Sequence, residues 1–229
     1  MKLNWTSDAE LFKLLKAELF SAVLGDVMDT LDLKNQFLSP SIKPINEDMI
    51  IAGRAMPVLE ADIGDVIITN KSLKDKDFGV MFEALDSLVE NDVYICSGSS
   101  LEYALWGEMM STRAKHLHAA GAVLDGYHRD TVGVLRVALP CFSYGAYAQD
   151  QGVRGKVVDF NCPIEMNGVI INPGDIVFGD RDGVVIIPKA VESTVIQLAY
   201  DKATTESKLK LAIENGMSTV EAYNKFGVM

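Results

Sequence analysis

Two short segments of this sequence combine residue types that can bind a small anion beside a divalent metal ion. The first covers residues 107–110, Gly-Glu-Met-Met, and the second is the pair Arg129-Asp130. The Arg129 guanidinium is a planar fork whose shape suits a carboxylate. The Asp130 carboxylate is a hard oxygen ligand of the kind that Mg²⁺ and Mn²⁺ prefer. The pair therefore offers a carboxylate clamp next to a Lewis acid.

Residues 107–110 can add backbone donors to such a site. Gly107 permits the close approach of another group to the main chain. If a helix begins at Glu108, the amides of Met109 and Met110 belong to its first turn. The N–H groups of a first turn lack partners inside the helix, and they attract anions. The sequence thus predicts an anion site made by backbone amides and a guanidinium together.

The 20 residues between Glu108 and the Arg-Asp pair can bring the two segments together. We predict that Leu101–Ala120 is largely helical, is interrupted at Gly107, and is ended by a C-terminal cap at Gly121. A short strand over residues 122–125 then leads into the loop of the Arg-Asp pair, and a second helix begins after it. In such β–loop–α units, sites lie beyond the carboxyl ends of the strands.

Each of these charged residues also has an ordinary structural interpretation. Asp130 could serve only as a helix N-cap, and Arg129 only in a surface ion pair. Glu108 could be only a first-turn acid that complements the helix dipole. Spacing alone favours these structural interpretations. His116 and His118 are a poor alternative metal pair, because residues at i and i+2 do not share a helix face.

The rest of the chain predicts a layered α/β domain with its strands in two groups. Helical periodicity follows Ser7, recurs over Ser21–Leu31, and returns from Lys189 onward. Asn167-Gly168 is typical of a tight hairpin turn. Further predicted elements are the strands Ile50–Val58, Val66–Ile68, Val93–Cys96, Val157–Val158, Val169–Ile171, Ile176–Phe178 and Val184–Ile187, and the helix Met81–Val89. No linker interrupts the pattern, so residues 1–229 are expected to form one domain.

The composition favours a globular protein that binds neither nucleic acid nor membrane. The net charge is −11, and no run of Lys or Arg offers a basic surface for phosphates. Hydrophobic residues make up 48% and charged residues 23%, which is ordinary for a chain with a packed core. No apolar run approaches the ~20 residues that a membrane span needs.

Several common motifs are missing from the sequence. The N-terminal residues lack the apolar stretch of a signal peptide. The three cysteines, at positions 96, 141 and 162, are far apart and indicate reduced thiols, so we expect a cytoplasmic protein. The chain has no phosphate-binding P-loop, no G-x-G-x-x-G and no G-x-S-x-G. Nucleotide, dinucleotide and serine-hydrolase chemistry are therefore not indicated.

One composite signature runs through both candidate segments: an acidic residue, 20 residues, and then Arg-Asp. It lies within Tyr103–Ser111 and Gly121–Thr131. In this signature the chain resembles the RraA-like family, which includes 4-hydroxy-4-methyl-2-oxoglutarate aldolases and oxaloacetate decarboxylases. Further matching segments follow in order along the chain: Ser21–Leu31, Ile42–Pro44, Gly53–Ala55, Pro173–Asp175 and Asp180–Val185. The resemblance therefore covers most of the sequence.

The resemblance implies a fold, an assembly and a set of site residues. The fold would be a swivelling β/β/α layered domain with N- and C-terminal helices, assembled as a homotrimer or hexamer. Residues 107–110 (Gly107, Glu108, Met109 and Met110) and Arg129 would hold a small 2-oxo acid, and Asp130 would bind the metal, Mg²⁺ or Mn²⁺. Glu108 stands where many lyase members have Asp. Glu206 would correspond to an acid that reaches a neighbouring subunit's site.

The implied reaction is a retro-aldol cleavage or β-decarboxylation that yields pyruvate, from a substrate such as 4-hydroxy-4-methyl-2-oxoglutarate or oxaloacetate. Arg129 would stabilise the negative charge of the enolate. Glu108 would take the proton from the 4-hydroxyl and return one to the enolate. Tyr127, His128 and the loop Asn70–Asp77 are candidates for the wall that faces the variable end of the substrate.

Two other functions are attributed to sequences of this kind. Some family members regulate a ribonuclease assembly through protein contacts, and the acidic composition suits a basic partner. Such a regulator does not need the acid-x20-Arg-Asp set, which this chain retains. A menaquinone methyltransferase would use S-adenosylmethionine, and the absence of a glycine-rich cofactor loop argues against that activity.

Overall fold

A mixed β-sheet lies at the centre of the computed structural model, which describes residues 3–64, 73 and 75–227. The strands are β1 (Lys43–Pro44), β2 (Ile51–Asp62), β3 (Asp92–Ser97), β4 (Ala104–Trp106), β5 (Gly121–Leu124), β6 (Tyr127–His128), β7 (Cys141–Ser143), β8 (Gly155–Phe160), β9 (Ile164–Met166), β10 (Val169–Ile171), β11 (Ile176–Gly179) and β12 (Val184–Ile187). The helices are α1 (Asp8–Glu18), α2 (Ser21–Thr30), α3 (Met81–Asp86), α4 (Glu108–His116), α5 (Thr131–Val137), α6 (Glu192–Glu214) and α7 (Thr219–Phe226), with a 3₁₀ turn over Lys189–Val191.

The strand order of the main sheet is β1-β7-β5-β3-β2-β11-β12, and β8 also pairs with β2. The neighbours β2, β3, β5 and β7 are parallel, whereas β1, β8, β11 and β12 join antiparallel. The long strand β2 pairs with β11 through Ile51–Arg54 and with β8 through Val58–Asp62. Because β3 and β5 are parallel, their carboxyl ends open at one edge of the sheet, where β4 and β6 follow.

Apolar side chains pack on both faces of the sheet and against the terminal helices. One group joins β2, β3 and β5 to α3, α4 and α5, and a second joins α1, α2 and α6 to β11 and β12. A third group lies under the β9–β10 hairpin. Strand β3 is buried on both sides, which explains its uninterrupted apolar run Val93–Cys96. The helices and the hairpin thus complete a layered α/β structure with helices at both ends, as predicted.

The predicted hairpin turn at Asn167-Gly168 is confirmed. Asn167 and Gly168 both have positive φ, 54° and 82°, and form the turn between β9 and β10. This is the backbone twist that a two-residue hairpin turn requires. The predicted strand Val66–Ile68 lies outside the described residues. Within the described part of the chain, no helix is long and apolar enough to cross a membrane. That residues 1–229 form one domain stays a prediction.

The prediction that Leu101–Ala120 is largely helical is wrong at both ends. Ala104–Trp106 is a buried strand, and only Glu108–His116 is helical. A short apolar run buried on both faces has no period of two, so it cannot be told from a buried helical turn in the sequence. The helix ends before His118, which has φ 60°, and Gly121 begins β5 instead of capping the helix.

Candidate functional site

The structure brings the two candidate segments side by side through the small parallel pair β4–β6. Ala104 pairs with Tyr127, and Trp106 pairs with His128. The Arg129 amide then donates a hydrogen bond to the carbonyl oxygen of Trp106 at 2.8 Å. Each strand leads directly into a helix, β4 into α4 and β6 into α5. The N-termini of both helices therefore meet beyond the carboxyl ends of β3 and β5.

Asp130 stands at the N-cap position of α5 but does not cap that helix. Its backbone is left-handed, with φ 57° and ψ 37°, and its side chain accepts no capping hydrogen bond from α5. The carboxylate Oδ2 instead lies 3.5 Å from the amide nitrogen of Glu108. A Cβ on Gly107 would lie 2.7 Å from the same oxygen, so the glycine makes room for it. Because non-glycine residues seldom adopt this backbone conformation, the simple N-cap interpretation does not account for Asp130.

Arg129 forms an ion pair with a residue that the sequence analysis did not single out. Its Nη1 lies 2.7 Å from Oδ1 of Asp150, and its Nε lies 3.8 Å from Oδ2 of Asp130. The other oxygen of Asp150 accepts a hydrogen bond from the Gly152 amide at 3.1 Å. Asp150 is thus itself held in place, and it orients one edge of the guanidinium.

A cavity of about 200 Å³ opens beside these residues. Its polar lining comes from the segments that carry the charges, namely Gly107, Arg129, Asp130, Asp150 and Gln151, and its apolar lining from Phe78, Met81, Phe82, Leu85, Ala104, Leu105, Trp106, Met109 and Met110. Five of the six predicted site residues therefore border one cavity, and the sixth, Glu108, does not. A concave pocket with a few convergent polar groups is the usual form of a small-molecule site.

Glu108 is directed away from this cavity. Its carboxyl group occupies the space that a Cβ on Gly133 of α5 would fill. It is the first residue of α4, so its charge also complements the dipole of that helix. The predicted role of Glu108 in proton transfer stays a prediction, and among the described residues the carboxylates that do line the cavity are Asp130 and Asp150.

The residues predicted for the variable wall lie elsewhere or outside the described residues. His128 is buried, and its two ring nitrogens lie 2.8 Å from the Ser143 hydroxyl and 3.0 Å from the Thr131 hydroxyl. Burial lowers the pKa of its imidazole, which favours the neutral form. His128 therefore has a structural role, in holding the loop before α5. Tyr127 does not border the cavity. In the loop Asn70–Asp77, residues 70–72 and 74 lie outside the described residues.

Glu206, the acid that the resemblance assigns to a neighbouring site, lies on α6. Its carboxylate is 3.7 Å from the ammonium of Lys202, which also pairs with Asp26 of α2. It does not border the cavity within its own chain. Its reach into a second subunit, and the homotrimer or hexamer that this requires, stay predictions.

A buried carboxyl group on β2 connects to the site and was also missed. Glu60 is 1% exposed, and its Oε2 accepts a hydrogen bond from Nε2 of Gln151 at 2.9 Å. Its Oε1 has no partner among the described residues. Burial raises the pKa of Glu60 to about 8. The sequence does indicate Glu60, as an acid inside a strand whose other residues are largely apolar. No sequence pattern indicates its partner Gln151, which lies on a distant loop.

The raised pKa of Glu60 predicts a pH-dependent stability. Its ordinary pKa is 4.5, so between pH 4.5 and 8 the folded protein holds a proton that the unfolded chain has lost. The contribution of Glu60 to the free energy of unfolding is therefore fully present below pH 4.5. It is lost as pH rises from 4.5 through about 8, by up to about 1.4 kcal/mol per pH unit. Because glutamine does not titrate, Glu60→Gln should gain stability relative to the parent as pH rises from 5 to 8.

Urea unfolding at several pH values measures this effect. Glu165→Gln, at an exposed position of β9, is the matched control and should follow the parent at every pH. A constant difference in unfolding free energy between Glu60→Gln and the parent across this range would contradict the assignment of a buried, protonated carboxyl.

Comparison with known proteins identifies the family to which the chain belongs. Residues 21–186 match the family model for RraA-like proteins, described as Aldolase/RraA, and the chain belongs to that family. The resemblance drawn from the acid-x20-Arg-Asp signature is thereby confirmed.

The individual relatives resemble this chain at modest sequence identity. A protein of Halalkalibacterium halodurans named "Putative 4-hydroxy-4-methyl-2-oxoglutarate aldolase" is 33% identical, with 86% of this chain and 87% of that protein aligned. Protein DlpA of Legionella pneumophila is 28% identical over 88% of this chain, which spans only 31% of that longer protein. The solved structure of Streptomyces coelicolor RraAS2, described as an unusual member of the RNase ES inhibitor RraA protein family, superimposes with a TM-score of 0.78. It is 20% identical over 90% of this chain and 100% of that one, so it establishes the fold alone.

Proposed function

We propose that the protein is a divalent-metal-dependent lyase that cleaves a small 2-oxo acid to pyruvate, as an aldolase or a decarboxylase. The observation that carries this proposal is the pairing of Arg129 with an Asp130 that is turned away from capping α5 and toward Gly107. A guanidinium, a hard oxygen ligand and free helix amides then border one cavity. The name of the H. halodurans relative supports the same reaction class.

The surroundings of Asp130 suit a hard divalent cation. Its side chain is half exposed, and among the described residues its Oδ2 makes only the long contacts with Glu108 and Arg129. No group of three His, Cys, Asp or Glu that could hold a metal occurs among the described residues. Asp130 is the proposed protein ligand among the described residues, and Mg²⁺ accepts so few protein ligands when water and substrate supply the other oxygens. When bound, the cation would supply Lewis-acid stabilisation of negative charge on the substrate.

The remaining binding groups suit the carboxylate of the 2-oxo acid. Arg129 can offer its planar donors, and the amides of Met109 and Met110 lie in the first turn of α4. Asp150 restrains one edge of the guanidinium, so its orientation is set before the substrate arrives. As the bond beyond C3 breaks, Arg129 stabilises the negative charge that develops on the enolate.

Proton transfer requires a proton acceptor close to the 4-hydroxyl. Glu108 is the proposed carrier, and its side chain must rotate away from Gly133 before it can reach the cavity. Such a rotation about staggered side-chain bonds is a small change for a partly exposed residue. The carrier would take the hydroxyl proton during cleavage and return a proton to C3.

Two assays test the proposal. Pyruvate release from 4-hydroxy-4-methyl-2-oxoglutarate and oxaloacetate is measured with Mg²⁺ and with EDTA. Deuterium exchange at the methyl group of pyruvate, followed by NMR, measures enolate formation and does not require cleavage of a carbon–carbon bond. We expect exchange that EDTA abolishes and added Mg²⁺ or Mn²⁺ restores. A folded protein with no metal-dependent exchange and no pyruvate release would refute the lyase and favour the ribonuclease-binding role.

A further inference from the structure

The cavity beside Arg129 has a charged end and an apolar end. Arg129 and Asp130 lie at the charged end. The apolar end is lined by Phe78 and by the α3 residues Met81, Phe82 and Leu85. A 2-oxo acid that places its carboxylate at the charged end would direct its far end along this apolar wall.

No free cation faces the apolar end among the described residues. Arg129 is the only cation in the described cavity lining. Two basic side chains beside α3 are engaged by its acids: Lys76 pairs with Glu83 at 2.6 Å, and Arg113 pairs with Asp86 at 2.7 Å. A second carboxylate on the substrate would lose water here without gaining an opposite charge. The described part of the wall therefore disfavours a dicarboxylate.

Two large apolar side chains of the lining are also open to solvent. Phe82 is 58% exposed, and Met109 is 72% exposed. Phe82 lies on α3 and Met109 lies on α4. An alkyl or aryl group between these two helices would cover apolar surface on both. Each buried methylene gains about a fourfold factor in binding. The contribution is directional, because the carboxylate is held at the opposite end of the cavity.

We propose that the preferred substrates are 4-hydroxy-2-oxo monocarboxylates that carry an apolar substituent at C4. The inference rests on the proposed lyase function and specifies its substrate class. In the reaction, the C3–C4 bond breaks, and its electron pair passes to C3 to form the enolate of pyruvate. The 4-hydroxyl loses its proton as C4 becomes an aldehyde carbonyl, and C3 gains a proton. The step needs no oxidant, reductant or further reactant.

The test compares kcat/KM for pyruvate release from two substrates, 4-hydroxy-2-oxoheptanoate and the dicarboxylate 4-hydroxy-4-methyl-2-oxoglutarate. We expect the alkyl substrate to be preferred by about tenfold or more, since its propyl group can bury two or more methylenes. Phe82→Arg introduces a cation into the wall and should reduce this preference by about tenfold or reverse it. Val89→Arg, at a 62% exposed position outside the cavity lining, should leave the preference unchanged.

Methyl exchange of pyruvate separates the two possible failures. If exchange is metal-dependent but the dicarboxylate is preferred, the substrate class is wrong while the lyase stands. If Phe82→Arg alters the preference no more than Val89→Arg does, the apolar wall does not contact the substrate and the inference also fails. If the protein catalyses no exchange, the lyase function and the substrate class fail together.

Discussion

Replacing Asp130 with asparagine should reduce metal-dependent pyruvate release by about a hundredfold or more. Asparagine keeps the size of the side chain and tolerates the left-handed backbone that this position requires. It lacks the negative charge, and it is a much weaker ligand for a hard cation than a carboxylate. The fold should therefore persist while the affinity for the metal falls.

Two measurements accompany this variant. Mn²⁺ binding, followed by electron paramagnetic resonance, should weaken in parallel with the loss of turnover. Asp32→Asn is the matched control, because Asp32 is also left-handed, with φ 63°, but pairs with Lys34 on the surface away from the cavity. Full Mn²⁺ affinity in Asp130→Asn would remove the metal role from this residue, and an equal loss in Asp32→Asn would indicate a backbone effect.

Replacing Arg129 with lysine should reduce kcat/KM by about a hundredfold, although the charge is retained. The guanidinium can hold Asp150 at one edge and a carboxylate at another, whereas an ammonium is a single point charge. The lysine would pair with Asp150 or with the substrate, so the orientation of the substrate carboxylate would be lost. Affinity for pyruvate should fall together with turnover.

Arg113→Lys provides a close control for this substitution. Its ion pair with Asp86 is 2.7 Å long, as is that of Arg129 with Asp150, and the two arginine side chains are 40% and 39% exposed. A surface pair of this kind contributes little, so Arg113→Lys should behave like the parent. Near-parental turnover by Arg129→Lys would show that Arg129 is no more than such a surface ion pair.

Much of the fold could be predicted because local patterns are unambiguous where an element has one function. The apolar run Val93–Cys96 is a strand buried on both faces, and Asn167-Gly168 is a hairpin turn. The strand Ala104–Trp106 was mistaken for part of a helix because its burial depends on β6, which lies beyond the next helix in the chain. Neither periodicity nor composition reports such a partner.

The sequence by itself determined the family. It also brought Gly107 close to Arg129 and Asp130, because the segment between them forms one helix and one strand in a parallel arrangement. Only the tertiary structure decided where the side chains point. Glu108 packs against Gly133, and the loop of Asp150 and Gln151 closes the site from a segment with no regular pattern. The apolar wall of α3 likewise faces the cavity only through packing. These contacts join residues far apart in the chain, and their geometry depends on how the layers pack, which no local pattern encodes.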